Sequence, residues 1–168
     1  MDILEVIKTR RSIRKYTPDP ISEEEINKIL EAGRWAPSAS NRQPWRFIVL
    51  RSSETKRKLA ETFTWGGCLS QAPLGIAVTV NPRASNHPVE DGAVATQNML
   101  LEAHSLGLGA CWIGAYGSVN EESAMDILNV PDDERLLSII AIGHPAESPQ
   151  STRKELDELI FTDRYGRA

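Results

Sequence analysis

At 168 residues, 40% hydrophobic and 25% charged, the chain has the length and balance of one globular domain able to enclose a sizeable core. Its 19 basic and 23 acidic residues leave a formal net charge of -4, which argues against a general polyanion binder and so against nucleic acid as a partner. The opening MDILEVIK is amphipathic and acidic at its start, with no continuous apolar stretch, so neither a secretory signal nor a membrane span is expected there.

Asp2 caps a first predicted helix that runs to about Thr9, with Ile3, Val6 and Ile7 as its apolar face. TRRSIRKY, residues 9 to 16, then places Arg10, Arg11, Arg14 and Lys15 within six positions of an acidic chain. At a helix end Arg10 and Arg14 are one turn apart, and Ser12 adds a hydroxyl between them. Guanidinium groups bind phosphate through paired hydrogen bonds, and each cation–anion pair at ~4 Å is worth about 4 kcal/mol at an effective dielectric of 20. The alternative is that these cations answer the helix dipole and are otherwise solvated.

Ser22 followed by Glu25 is a capping-box pattern opening a helix in which Ile26, Ile29, Leu30 and Gly33 share a face, and which should fail near Pro37. APSASNRQPW, residues 36 to 45, is a proline-stiffened loop crowded with Ser38, Ser40, Asn41 and Gln43. Such side chains often only satisfy loop backbone; a planar heterocycle is the functional alternative. WRFIVLR is a strand, a charged helix begins near Ser53, and LGIAVTV reads as a buried strand.

Residues from about Pro88 to Leu106 form a long helix with little purely polar face, buried nearly all round by its own sheet or by a second subunit. Gly107 and Gly109 end it. ACWIG is a short strand flanked by glycines that permit close approach of a ligand to the backbone, although Trp112 and Tyr116, as a lone pair of aromatics, read better as core. Asn120 caps a further helix, RLLSIIAIG is a third long apolar strand, and RKELDELIF is a last amphipathic segment. Arg153 and Lys154 at its start are either surface cations or part of an anion site.

Helices and strands are interspersed, no GxGxxG follows a strand, and neither repeat nor linker divides the chain. A single domain over residues 1–168 is expected, an α+β sandwich rather than a dinucleotide-binding Rossmann fold. Cys68 and Cys111 form no CxxC and sit in apolar or glycine-rich surroundings, as expected of buried free thiols in a reducing compartment, with the cytoplasm as the default address. His87, His104 and His144 lie far apart without ligand spacing, so no metal is assigned. No Gly-x-Ser-x-Gly or Cys-His motif suggests a hydrolase.

RRSIRKY, PSASNRQPW, GLGACWIG with the later IGHP, and the late RK occur in an order that resembles FMN-dependent nitroreductase-like flavoproteins, over nearly the whole chain. The resemblance implies a mixed, mainly antiparallel sheet sandwiched by helices in an intertwined homodimer. It implies that Arg10, Ser12 and Arg14 lie against the flavin phosphate and ribityl chain, with Arg11 on the isoalloxazine side. The loop Pro37, Ser38, Ala39, Ser40, Asn41 and Gln43 would come from the partner subunit. The backbone of Trp112, Ile113 and Gly114 would face the ring, and Arg153, less directly Lys154, would close on the phosphate. Some relatives carry an acidic residue where this chain has Gly114 and Ala115, and some add a cation where it has Trp65, Gly67 and Cys68.

The activity so implied is transfer of hydride from NADH or NADPH through FMN to a flat acceptor such as a nitroaromatic or quinone. No side chain is assigned a catalytic acid or base role, because the cofactor carries the chemistry. Alternatives are a specialised flavoenzyme (dehalogenase, dehydrogenase or flavin-fragmenting) and a flavin-binding protein without turnover. The expected partners are a second copy of the chain and the small-molecule donor and acceptor, with no nucleic acid and no membrane.

Overall fold

The computed structural model describes residues 2–166. Strand periodicity sorts the apolar residues onto two faces of one sheet, and each face has its own layer of helices. The strands are β1 (Trp45–Leu50), β2 (Leu74–Val80), β3 (Gly109–Gly114) and β4 (Arg135–Gly143). Their order is β1-β2-β4-β3 and every neighbouring pair is antiparallel. The two inner strands are the uninterrupted apolar runs: β2 is buried at every position and β4 at all but its first. Strands covered on both faces lose the polar alternation that a half-solvated strand would keep.

The helices are α1 (Ile3–Thr9), α2 (Glu23–Arg34), α3 (Ser53–Thr62), α4 (Gly67–Gln71), α5 (Pro88–Ser105) and α6 (Glu121–Leu128). On one face α2 and α5 cover Ile76, Val78, Val80, Ile140 and Ile142. On the other α3, α4 and α6 cover Ala77, Cys111, Ile113, Ile139 and Ala141. The Ser22–Glu25 capping box forms as the sequence predicts, the Glu25 carboxylate accepting the Ser22 N–H at 2.9 Å and the Ser22 hydroxyl accepting the Glu25 N–H at 3.2 Å.

A bulge in β4 adjusts the sheet to α5. Val78 faces Ser138 but Thr79 faces Leu136, leaving Leu137 as the extra residue. Leu137 and Ser138 therefore both reach α5. The Ser138 hydroxyl lies 3.0 Å from that of Thr96, and at Gly92 an added Cβ would stand 2.5 Å from Val80 and 2.7 Å from Leu137. Only glycine lets α5 come this close.

Several expectations need correction. The apolar face predicted for α1 is not buried within the chain: Val6 is covered, while Ile3 and Ile7 stand 76% and 50% exposed. The α5 helix buries a stripe through Asp91, Ala95, Met99 and Ala103 but leaves Val94 exposed and Ala93 and Leu101 half-buried. β3 starts at Gly109, so that glycine belongs to the sheet rather than to the end of the helix. α4 has no counterpart in the sequence reading. The last segment contains only a 3-10 turn, Leu156–Leu159, and Leu156, Leu159 and Ile160 stay exposed; a turn this short cannot hold itself against water without a surface to cover.

Candidate cofactor-binding site

The site is built on the outer edge of β3. The Arg10 N–H makes the last bond of α1, to the Val6 carbonyl at 3.0 Å, and the chain then leaves the helix with Arg10 at φ -56, ψ 133. The following residues run extended beside the sheet. Ser12 bridges Ala110 in parallel and Tyr16 bridges Pro145, while the Ile13 N–H donates to the Ala110 carbonyl at 3.0 Å. Gly109 makes room for this: a Cβ there would lie 2.8 Å from three atoms of Ile13.

Arg10 and Arg14 thus converge for a different reason from the helical turn that their spacing suggests. In an extended segment alternate residues share a side, so Arg10, Ser12 and Arg14 line up opposite buried Ile13. Together with Arg11, Ser151 and Arg153 they border a cavity of ≈ 230 Å³. Arg11 reaches the cavity although it has the parity of Ile13, whereas Lys15 is exposed and does not line it. Burial first, then the charges of Arg153 and Arg11, pulls the Arg10 guanidinium below its usual range. Cations crowded this closely favour any anion that enters between them. Glu147 is not that anion, because its Oε1 accepts the main-chain N–H groups of Arg14 and Lys15 at 2.6 and 3.2 Å. Arg153 is held by its own segment, Nη1 donating to the Ser151 hydroxyl at 3.1 Å and the Thr152 carbonyl at 2.8 Å. Lys154 is exposed and does not line the cavity.

Past Ala110, β3 has no neighbour on its outer side among the described residues. Because the Ala110 carbonyl points outward to Ile13, the period of two directs the main-chain groups of Trp112 and Gly114 outward as well. Those of Ile113 turn inward towards Ile139 of β4. The Trp112 side chain packs with the α5 layer and Ile113 is buried under the opposite one. Gly114 is exposed, with no atom within 4 Å of where a Cβ would be. The result is a ledge of backbone without a neighbouring strand beside a basic cavity, the Trp112 carbonyl accepting only the Cys111 thiol at 3.8 Å.

The Pro37–Gln43 loop lies elsewhere in the chain. It leads into β1, the opposite edge strand, roughly 14 Å from β3 at three strand spacings. A 3-10 turn, Ala39–Asn41, carries positive φ at Ser40 and Asn41, and Gln43 is also positive at 49°. These are left-handed conformations that cost a non-glycine residue energy. The turn is pinned from below: the buried Asp91 carboxylate of α5 accepts the Ala39 N–H at 3.0 Å and the Ser85 hydroxyl at 2.6 Å. Pro37, Ser40, Asn41 and Gln43 are exposed. The structure therefore gathers Arg10, Arg11, Ser12, Arg14 and Arg153 around one cavity, and within one chain it does not bring the 37–43 loop to them.

Sequence reasoning did not single out Asp91, Ser151, or the neighbouring cavity of ≈ 400 Å³ floored by Gly107 and Leu108. A charged residue inside the buried stripe of α5 was the available signal for Asp91. Cys68 and Cys111 are free and buried. The neighbouring Cys68 thiol, with Arg14 and Arg10 nearby, draws the Cys111 thiol below its usual range against the opposing effect of burial. Among the described residues no cluster of His, Cys, Asp and Glu could hold a metal ion, and no helix is long and apolar enough to cross a membrane.

Comparison with known proteins gives consistent matches. The model of the nitroreductase family matches residues 7–67 and 65–144. A protein of Archaeoglobus fulgidus, provisionally named as an NADH dehydrogenase/NAD(P)H nitroreductase, is 39% identical over 171 residues, covering 99% of this chain and 97% of that protein. A Parabacteroides distasonis structure with the same provisional name superposes with a TM-score of 0.94 at 31% identity, covering 98% of this chain and 99% of the other. A nitroreductase of Desulfovibrio desulfuricans, also provisionally so named and solved in complex with FMN, has a TM-score of 0.85 at 36% identity, covering 98% of both chains.

Proposed function

The chain belongs to the nitroreductase family, and from that premise we propose that it is an FMN-dependent NAD(P)H oxidoreductase acting on a flat acceptor such as a nitroaromatic or quinone, with its sites shared across a homodimer. The observation that carries this reading is the cavity bordered by Arg10, Ser12, Arg14 and Arg153 beside the unpaired edge of β3. Its donor set fits a phosphate: guanidinium forks and a hydroxyl border a space with no carboxylate among its described lining residues.

Bound there, FMN would supply the redox chemistry of hydride transfer between NADH or NADPH and the acceptor. The protein's share is placement. Arg10, Ser12, Arg14 and Arg153 fix the phosphate end. The outward main-chain groups of Trp112 and Gly114 offer two N–H donors and two carbonyl acceptors to the edge of the ring, and the bare Gly114 lets a flat ligand approach. Arg11, which the family resemblance puts on the isoalloxazine side, lines both this cavity and the neighbouring one at Gly107 and Leu108. The tight loop Pro37, Ser38, Ala39, Ser40, Asn41 and Gln43 faces the same flavin from a second copy of the chain.

Dimerisation is supported by three surfaces that the chain leaves uncovered: the α1 face of Ile3, Leu4 and Ile7, the Val94 side of α5, and the terminal Leu156–Phe161 stretch. Free buried thiols suit a reducing compartment.

The test begins with flavin reconstitution. Purified protein is expected to be yellow, to prefer FMN over riboflavin by the phosphate, to sediment as a dimer, and to oxidise NADH or NADPH when a quinone or nitroarene is added. Equal affinity for FMN and riboflavin would remove the arginines from the phosphate role. A monomer that keeps FMN tightly would remove the shared site.

A further inference from the structure

Past the end of β4 the chain pairs antiparallel with the basic segment. Tyr16 bridges Pro145, and the Thr17 N–H donates to the His144 carbonyl and the Ala146 N–H to the Lys15 carbonyl, each at 2.9 Å. This register sets Glu147 opposite Arg14. There the main-chain pairing gives way to a side chain: Glu147 Oε1 accepts the Arg14 N–H at 2.6 Å and the Lys15 N–H at 3.2 Å. The residues that follow, Pro149, Gln150, Ser151 and Arg153, border the basic cavity of ≈ 230 Å³ together with Arg10, Ser12 and Arg14. Among the described residues no hydrogen bond joins the stretch from Ser148 to Arg153 to the body of the chain, and Arg153 bonds only to Ser151 and Thr152 beside it.

Resting on the flavin reading above, we propose that Glu147 is a positioning residue for the phosphate: its carboxylate clasps the Arg14 backbone and so holds the strap carrying Ser151 and Arg153 at the cavity. The donors come from two pieces of chain. Arg10, Ser12 and Arg14 are seated on β3 through the Ile13–Ala110 bond, whereas Ser151 and Arg153 are placed only as well as their strap is. Glu147 is the last residue before that strap with a hydrogen bond to the body. The strap also works against repulsion, because Arg153 borders the same small space as Arg10, Arg11 and Arg14. A carboxylate is the stronger acceptor for such a tie, roughly twice a neutral one, and here a single oxygen takes two N–H groups. Glu147 borders the neighbouring cavity and not the basic one, so it acts through Arg14 and Arg153.

The experiment titrates the apoprotein with FMN and with riboflavin, which lacks the phosphate, and follows flavin fluorescence. Glu147→Ala is expected to weaken FMN by about tenfold or more while changing riboflavin by less than about twofold. Glu147→Gln keeps the shape and one acceptor oxygen; it should weaken FMN by only about threefold, and it reads the same ratio if the alanine variant does not fold. In an Arg153→Ala background the strap has no cation left to present, so adding Glu147→Ala should cost less than about threefold more. Unchanged FMN affinity in Glu147→Ala overturns the clasp. Equal losses of FMN and riboflavin also overturn it, by reducing Glu147 to general stability, and so does full additivity with Arg153→Ala. Equal affinity of the parent protein for the two flavins refutes the phosphate site itself, a failure of the flavin reading that is distinct from failure of the clasp.

Discussion

The Ile13 N–H donates to the Ala110 carbonyl at 3.0 Å, and this one bond decides which side chains form the cavity. It holds the basic segment as a short parallel neighbour of β3, turning Arg10, Ser12 and Arg14 to one side and Ile13 to the core. A helical continuation of α1 would instead have spread the same cations around an axis.

That geometry separates the cations by role. Arg10→Ala or Arg14→Ala removes a charged partner from a bound phosphate and should cost about 2–5 kcal/mol in FMN binding, roughly thirtyfold to several thousandfold. Lys15→Ala, on the opposite side of the segment, removes an exposed charge and should cost less than about 1 kcal/mol. Flavin fluorescence titration measures all three. Comparable losses for Lys15→Ala and Arg14→Ala would mean a diffuse positive field instead of a fitted site.

Gly109→Ala tests the seat of the segment. Its Cβ would meet the Cβ, Cγ1 and Cγ2 of Ile13 at 2.8 Å, contacts at a side-chain stem that no rotamer change relieves. Overpacking of this kind costs about 1–3 kcal/mol. The variant should melt at lower temperature and hold FMN more weakly, since moving Ile13 moves its neighbours Ser12 and Arg14. Unchanged flavin affinity would show that the cavity does not depend on the Ile13–Ala110 contact.

Asp91→Ala tests the loop. It leaves the Ala39 N–H and the Ser85 hydroxyl without their buried acceptor, at a cost of about 1–3 kcal/mol. Released from Asp91, the 37–43 turn should lose its left-handed residues to extended conformations. FMN affinity should fall although Asp91 lies in the α5 stripe and not among the arginines. Amide exchange at Ala39 and Asn41 reports the loop directly; protection equal to the parent protein would rule out the anchoring role.

The His104 imidazole gives a pH readout. Burial first, then Arg10 and Arg11, lowers its pKa in the folded chain from 6.5. The unfolded chain therefore binds the proton more readily, so the stability associated with His104 is complete above 6.5 and is lost as pH falls towards the lower folded value. A phosphate dianion between the arginines offsets their effect, and the value should rise towards 6.5 on adding FMN. Proton NMR of the His104 ring with and without flavin measures the shift; a fall on adding FMN would contradict the charge assignment.

Much of the architecture was legible because local and tertiary signals agree. LGIAVTV and RLLSIIAIG are apolar at nearly every position because strands in the middle of the sheet are covered twice, and Ser22 with Glu25 marks a helix start through bonds within four residues. α4 was not legible: GCLSQ is too short to show a period and folds because Cys68 and Leu69 are buried against the sheet. At the site, the residue types in RRSIRKY pointed to an anion, but their spacing fits a helical turn and an extended segment equally well. The choice between them rests on Gly109, about a hundred residues away, which no local pattern contains. The position of Ser38 and Asn41 relative to Arg10 depends on strand order and lay further still from what local sequence can express.

The placement of Arg10 and Asn41 at opposite edges of one sheet has a genetic consequence. If each flavin is enclosed by the cavity of one copy and the loop of the other, the two lesions Arg10→Ala and Asp91→Ala damage separable halves of a site. Co-expressed, the two defective alleles should complement. A mixed dimer pairs the sound cavity of one subunit with the sound loop of the other, restoring one working centre and leaving the second doubly impaired. Affinity purification of mixed dimers through different tags should then recover one tightly bound FMN per pair of chains, where each parental homodimer retains little.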